Sequence, residues 1–403
     1  MIRHHNNDIP EQGACQTIDP SEPRLRLDAS ACLPIRSRKS ACEACAAQCP
    51  VSALRVDDTG PRLTNDCLGC GQCAAACPTD ALRVDGFPLL PLPHEDSPPV
   101  YRVECWRVPD GETSEGTLRI PCLGGLEASQ LVTLNRLAGK RGLSLVDRGL
   151  CDDCPAGNAA DHPAAHALEA CRRILGEAGM PEQELPRLIH VSLAPQVAAC
   201  TIPSSGMEAR VGRRGFLRRL TGHAASARAA TTGVAPATSG TRALIHKIVP
   251  RRRNRLAEEL LALGGRRSTP ATRPRLSVNS DCEGSGICTA VCPTGALTRE
   301  KSEGSDRLML DATACVACGL CEQHCPHQAI RVAAPGGGDE IVELSRLVEH
   351  RCPDCGRPFT ARGGEEVVCS PCRKSRGLAA AGFGLFASGD AIEVDRKQRG
   401  EGS

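Results

Sequence analysis

Cysteine is the residue that most restricts what this chain can become. There are 26 in 403 residues, and they are grouped rather than scattered. Eight lie between Cys32 and Cys77, five between Cys105 and Cys171, seven between Cys282 and Cys325, and four between Cys352 and Cys372; only Cys15 and Cys200 stand apart. Cysteine at this density means disulfides or bound metal. Disulfide scaffolds are mostly short secreted domains. The N-terminal stretch MIRHHNNDIPEQGACQ has no apolar core of the kind a signal peptide needs. Metal in a reducing cytoplasm is therefore the expectation. Composition points the same way: aromatic residues make up only 2% of the chain, so its cores lack large rings and need another source of cohesion. No run of about 18 apolar residues occurs, so no transmembrane helix is expected.

A cysteine-proline unit repeats four times: CPVSALRVD at 49–57, CPTDALRVD at 77–85, CPTGALTRE at 292–300 and CPHQAIRVA at 325–333. Each copy reads as a turn followed by a short strand. The cysteines before each Pro have their own spacing. Cys67, Cys70, Cys73 and Cys77 form a C-x2-C-x2-C-x3-C-P run. In such a run three thiolates cap one iron–sulfur cluster, and the fourth, on the following turn, ligates another. The partner run, Cys32, Cys42, Cys45 and Cys49, keeps the last two offsets but widens the first gap to nine residues. Crossing the fourth ligands assigns Cys32, Cys42, Cys45 and Cys77 to a first cluster and Cys49, Cys67, Cys70 and Cys73 to a second. Cys15 is an alternative to Cys32.

The third group repeats the pattern with one departure. Cys315, Cys318, Cys321 and Cys325 are regular, whereas Cys282, Ser285, Cys288 and Cys292 carry a hydroxyl at the second position. A third cluster takes Cys292, Cys315, Cys318 and Cys321. The fourth site keeps only Cys282, Cys288 and Cys325, which suits [3Fe–4S], or [4Fe–4S] with Ser285, water or an external ligand, or no cluster. Zinc is the competing reading of all these cysteines, but zinc sites do not call for the C-P with its three-residue offset. These two regions, about 30–85 and 276–333, resemble two-cluster bacterial ferredoxins. The resemblance implies small α+β modules with two pseudo-symmetric halves, [4Fe–4S] clusters, and electron transfer.

Residues 100–195 alternate strand-like and helix-like segments. TLRI, LSLVD and LIHVSLA read as strands; ASQLVTLNRLAGKRG and AAHALEACRRILGEAGM read as helices. That order predicts a parallel sheet with helices on both faces. Cys122, Cys151 and Cys154 fall at strand ends, where open α/β sheets place their sites, and with Cys105 they make a candidate four-thiolate set. Cys171, on the apolar face of the second helix, reads as core. The pattern IPCLGG…GLCDDCPAGN is similar to the delta subunit of methyl-viologen-reducing hydrogenases. That resemblance implies a [2Fe–2S] cluster and delivery of electrons to a heterodisulfide-reductase-type flavoprotein. The alternative is a degenerate copy with structural thiols and no cluster.

Cys352, Cys355, Cys369 and Cys372 form C-x2-C-x13-C-x2-C, a zinc-ribbon spacing. Rubredoxin-like iron is the redox alternative, though only Phe359 is near to pack such a site. His350 is expected to be a solvent-exposed neighbour. Between the second and third cysteine groups, residues 207–275 hold 16 Lys/Arg against three acids, a local charge of 16 − 3 = +13 in a chain of net +2. Arg213 and Arg214 open an R-R-G-F-L string like a twin-arginine signal, but mid-chain and before a polar stretch. The segment reads as a solvated linker, 203–275, or as a basic surface for an acidic partner or membrane. Leu256, Leu260, Leu261 and Leu263 form an apolar stripe near its end. Nucleic acid is disfavoured, because aromatic residues for base stacking are lacking.

The expected chain is thus an α+β multi-domain protein. It has an N-terminal tail (1–29), a ferredoxin-like module (30–95), an α/β hydrogenase-delta-like domain (100–200), the basic segment, a second ferredoxin-like module (276–335), a zinc-ribbon-like element (345–378) and a tail (379–403). Its function reads as cytoplasmic electron relay between a donor and a larger oxidoreductase, with no substrate-converting site of its own. The alternative is a cluster-based redox sensor or assembly factor that binds nucleic acid or a protein through the basic segment.

Overall fold

The computed structural model describes residues 25–63, 67–87, 100–157, 161–195, 197–200, 246–302, 304–362 and 368–387. The N-terminal module runs through β1 (Leu25–Leu27), α1 (Leu33–Arg36), α2 (Ala44–Ala47), the hairpin β2 (Leu54–Asp57) and β3 (Gly60–Leu63), α3 (Gln72–Ala76) and β4 (Leu82–Val84). β1 closes the module by pairing antiparallel with β4. Its helices are single turns, too short to be stable alone. They are held by a core in which cysteine sulfur replaces the missing rings: Cys32, Cys73 and Cys77 are buried with Ala31, Leu54, Ala81 and Leu82.

The four cysteine-proline copies share a backbone conformation. The third residue after each cysteine is left-handed: Ser52 (φ 50°), Asp80 (57°), Gly295 (73°) and Gln328 (51°). L-residues resist that region, so three of the four copies hold a locally unfavourable turn. The turn swings the chain from the cysteine into the next strand. It also brings the Ala53 and Ala329 N–H groups to donate to the Sγ atoms of Cys49 and Cys325, at 3.1 and 3.2 Å.

In the middle domain β5 (Arg102–Cys105), β6 (Thr117–Ile120), β7 (Ser144–Asp147) and β8 (Arg187–His190) form one parallel sheet in the order β6-β5-β7-β8. Strand β5 is absent from the sequence reading, because R-V-E-C offers one apolar residue between two charges. The crossover helices α4 (Ala128–Ala138) and α5 (Ala165–Glu177) do not flank the sheet on both faces, as the alternation predicted. Both crossovers step the same way across the sheet, so right-handed connections place both helices on one side. There Leu131, Leu134, Leu168, Cys171 and Leu175 share a core with Val103, Ile120 and Leu145. The strand positions alternating with these carry Glu104, buried 3.9 Å from Arg148, and Arg119, paired with Asp110.

The basic segment departs furthest from expectation. Residues 201–245, including the R-R-G-F-L string, lie outside the described residues. Residues 246–275 are built into the molecule. Helix α6 (Arg251–Ala262) packs on α4, and Leu256 and Leu260 enter the middle-domain core with Leu263 beside them. Leu261 faces solvent at 51% exposure, so the expected stripe narrows to three leucines. Arg252 pairs with Asp80, Arg255 with Glu127 at 3.4 Å, and Glu259 with Arg136.

The C-terminal module repeats the first: β9 (Arg275–Val278), α7 (Ile287–Val291), the hairpin β10 (Leu297–Ser302) and β11 (Ser305–Asp311), α8 (Leu320–Gln323) and β12 (Ile330–Ala333), with β12 antiparallel to β9. Its hairpin extends into β13 (Ile341–Arg351) and β14 (Pro358–Ala361), giving a sheet ordered β10-β11-β13-β14. The ribbon thus grows out of the module. The last helix, α9 (Ser370–Ala387), runs beyond the boundary expected at 378.

Candidate metal centres

In the N-terminal module the eight cysteines fall into two sets. Burial, and after it the nearby thiols of Cys77, Cys45 and Cys42, push the Cys32 thiol up to about 11. Cys45 is raised to about 11 by burial and then by Cys77 and Cys42. Cys73 is raised to about 12 by burial and then chiefly by Cys70, Cys67 and Cys49. Thiols this close and this buried cannot ionise together in an apolar core; a metal core carrying positive charge removes that penalty. Backbone N–H groups two residues on are aimed at several sulfurs, Ala44 at Cys42 and Gln72 at Cys70 among them. Such N–H···S bonds suit anionic, cluster-bound sulfur. Cys15 lies outside the described residues.

The C-terminal module brings Cys292, Cys315, Cys318 and Cys321 together. Burial and then the thiols of Cys318, Cys315 and Cys292 drive Cys321 far above its ordinary value. Cys282, Cys288 and Cys325 form the other set, with burial and then Cys282 raising Cys288. Ser285 occupies the second position of that loop without altering its backbone. Gly284 and Gly286 flank it at φ 70° and 71°, matching Gly69 and Gly71 around Cys70 (64° and 79°) and Ala317 and Gly319 around Cys318 (51° and 73°). Ser285 is solvent-exposed. Beneath it lies a pocket lined by the three cysteines, the Arg299–Asp306 ion pair, His327 and Leu347. A corresponding pocket lies at the Cys49, Cys67, Cys70 and Cys73 set.

In the middle domain Cys105 ends β5, Cys122 follows β6, and Cys151 and Cys154 follow β7. All four line one cavity, which Cys70 of the N-terminal module also lines. Cys122 is driven up by burial and then by Cys70, with Cys105 and Cys151 adding to it. The two regions touch backbone to backbone. A Cβ on Gly125 would sit 2.4 Å from the Cys70 carbonyl oxygen, and the Gln72 side-chain amide donates to the Ala156 carbonyl at 2.7 Å. Cys171 is fully buried in the helical core, apart from this set.

His162 has no counterpart in the sequence reading. Its Nδ1 accepts the Ala164 N–H at 3.2 Å, so the neutral ring carries its proton on Nε2, 3.7 Å from the Cys151 sulfur. It therefore reaches Cys151 as a donor. An isolated His eleven residues after a cysteine carries no spacing signal.

The Sγ atoms of Cys352, Cys355, Cys369 and Cys372 lie within 4.8 Å of one another. Four thiols at that spacing fit a tetrahedral metal site. His350 is not exposed as expected; it is half-buried with its ring 5.9 Å from that of Phe359, and it stands outside the thiol group.

Residues 281–329 match the family described as the 4Fe-4S dicluster domain, and residues 63–83 match the 4Fe-4S binding domain. The chain carries ferredoxin-type 4Fe-4S domains. The first match contains all seven cysteines of the C-terminal group, and the second contains Cys67, Cys70, Cys73 and Cys77.

The two ferredoxin-type modules meet at a small core of Leu33, Val291 and Leu320, with Cys42 of one and Cys318 of the other packed against it. Ser37 and His324 bridge the same junction at 2.8 Å. Thiols of the two modules thus come near one another at Cys42 and Cys318, and those of the N-terminal module and the middle domain at Cys70. The ribbon sits at the Ser285 end, where Arg373 pairs with Glu283 and Arg362 donates to the Val278 carbonyl at 2.9 Å. Among the described residues no helix is long and apolar enough to cross a membrane.

Proposed function

We propose that this protein is an electron relay in which five iron–sulfur sites stand in one continuous file. Cys32, Cys42, Cys45 and Cys77 hold one [4Fe–4S] cluster, Cys49, Cys67, Cys70 and Cys73 a second, and Cys292, Cys315, Cys318 and Cys321 a third. Cys282, Cys288 and Cys325 hold [3Fe–4S], with Ser285 leaving the fourth corner open to solvent. Cys105, Cys122, Cys151 and Cys154 hold a [2Fe–2S] cluster, in keeping with the likeness to the hydrogenase delta subunit. The clusters supply one-electron redox chemistry. The polypeptide brings them close, buries their thiolates and directs N–H groups at the sulfurs. The ribbon cysteines hold zinc, which brings no redox step and fastens β13, β14 and α9.

The observation that carries this reading is the pair of junctions between domains: Cys42 and Cys318 on one shared core, and Cys70 in the wall of the middle-domain cavity. Tunnelling falls off exponentially with distance, so such proximity serves transfer. The partner is a larger oxidoreductase, in the hydrogenase-delta case a flavoprotein. The sensor or assembly-factor reading loses ground because Lys247, Arg252, Arg253 and Arg255, four of the cations that would grip a polyanion, already bind this chain's own carboxylates and carbonyls. Iron, sulfide and zinc counting on anaerobically purified protein tests the proposal. About 17 irons, from three four-iron, one three-iron and one two-iron cluster, with one zinc and visible bleaching by dithionite, is the expected result. Zinc alone would refute it.

A further inference from the structure

The geometry points to Lys247, Arg253 and Arg36 as a cationic cage that gives the Cys292/315/318/321 cluster the highest potential of the three [4Fe–4S] clusters. This rests on the ligand set proposed above and adds what the chain does to it. Lys247 Nζ donates to the carbonyls of Thr289, Ala290 and Cys292 at 2.9, 2.9 and 2.7 Å. Three donors are available only to an ammonium group, so the charge is present. Arg253 Nε donates to the Cys315 carbonyl at 2.9 Å, and the same guanidinium reaches the carbonyls of Ala312 and Thr272. Arg36 is buried at the module junction, donating to the carbonyls of Ser30 and His246 at 2.6 Å each, and its charge is felt by Cys318.

None of the three has a carboxylate within ion-pair distance among the described residues. Asp311 is the acid that faces both Cys315 and Arg253, beyond ion-pair distance of the guanidinium, and it accepts hydrogen bonds from Thr313 and Ala314. The N-terminal module provides the contrast. Arg252 reaches the Ala74 and Ala75 carbonyls on α3 in the same manner, but Asp80 and Glu127 neutralise it. At the first cluster, the carboxylate of Glu43 acts on Cys42. Reducing a cluster adds a negative charge, and cations held nearby by backbone carbonyls favour that form. Among the three [4Fe–4S] clusters an electron then settles at the second place in the file.

A redox titration of the full-length protein followed by EPR tests this, with the cluster's signal identified by its loss in Cys321→Ser. The cluster so identified should be the first of the three to reduce. Lys247 is exposed, so Lys247→Gln should fold with unchanged iron content. At a fixed solution potential its reduced-to-oxidised ratio should fall about tenfold at this cluster alone, with Lys247→Arg restoring it. Arg253→Gln should move the same signal in the same direction. An identified cluster that reduces last, or that is unmoved by Lys247→Gln, overturns the cage while leaving the relay standing. Loss of every iron–sulfur signal in the unaltered protein would refute the relay itself.

Discussion

The two cysteine modules share a backbone and differ in what surrounds it. Both place a left-handed residue third after each C-P cysteine, and both set a left-handed glycine after the second cysteine of a regular run. In the N-terminal module the set facing the middle domain has four cysteines, and the neighbouring arginine, Arg252, is neutralised. In the C-terminal module one set has lost a thiol to Ser285, and the cations around the other stay unpaired. The loop conformation belongs to the repeat, whereas ligand number and local charge are set position by position. A duplicated scaffold can therefore carry non-equivalent sites.

Removing a thiol should produce the largest effect. Cys73→Ser takes a buried sulfur from the set that adjoins the middle domain, and iron should fall by about four per chain. Cys171→Ser is the control: iron content stays unchanged, and the buried hydroxyl costs about 1–3 kcal/mol in thermal or denaturant unfolding. If both variants lost iron alike, the division between cluster and core cysteines would fail.

A smaller effect is expected at the contact between module and middle domain. Gly125→Ala would drive a methyl group against the Cys70 carbonyl and the Phe87 ring. Stability should fall by about 1–3 kcal/mol, and rapid-mixing reduction should show slower equilibration between the middle-domain site and the others. Unchanged kinetics in a destabilised variant would remove that contact from the route.

Ser285→Cys should make the two modules alike at their remaining difference. It is expected to add about one iron per chain and abolish the [3Fe–4S] EPR signal. Arg252→Gln should do least to the clusters. Stability drops by about 1–3 kcal/mol as Asp80 loses its partner while Glu127 keeps Arg255, and no cluster potential moves. A potential shift as large as that of Lys247→Gln would erase the contrast between paired and unpaired cations.

The ferredoxin-type regions and the ribbon thiols were legible because ligand spacing is local: C-x2-C-x2-C-x3-C-P is written in consecutive residues, and so is the C-x2-C pair of the ribbon. What escaped was non-local. Arg253 and Lys247 bind backbone carbonyls, which leave no complementary residue in the sequence, so their segment read as a solvated linker. Strand β5 is too short and too charged to show a period, yet it is an inner strand of its sheet. The placement of both crossover helices on one face follows from strand order, which alternation alone does not determine. His162 became visible only when the fold brought it to Cys151.

EPR of the fully reduced protein tests the central claim most directly. Sites in a single file should give broadened, mutually coupled spectra, and Cys73→Ser should sharpen those of its neighbours. Spectra that sum as independent centres, unchanged by that substitution, would contradict the account.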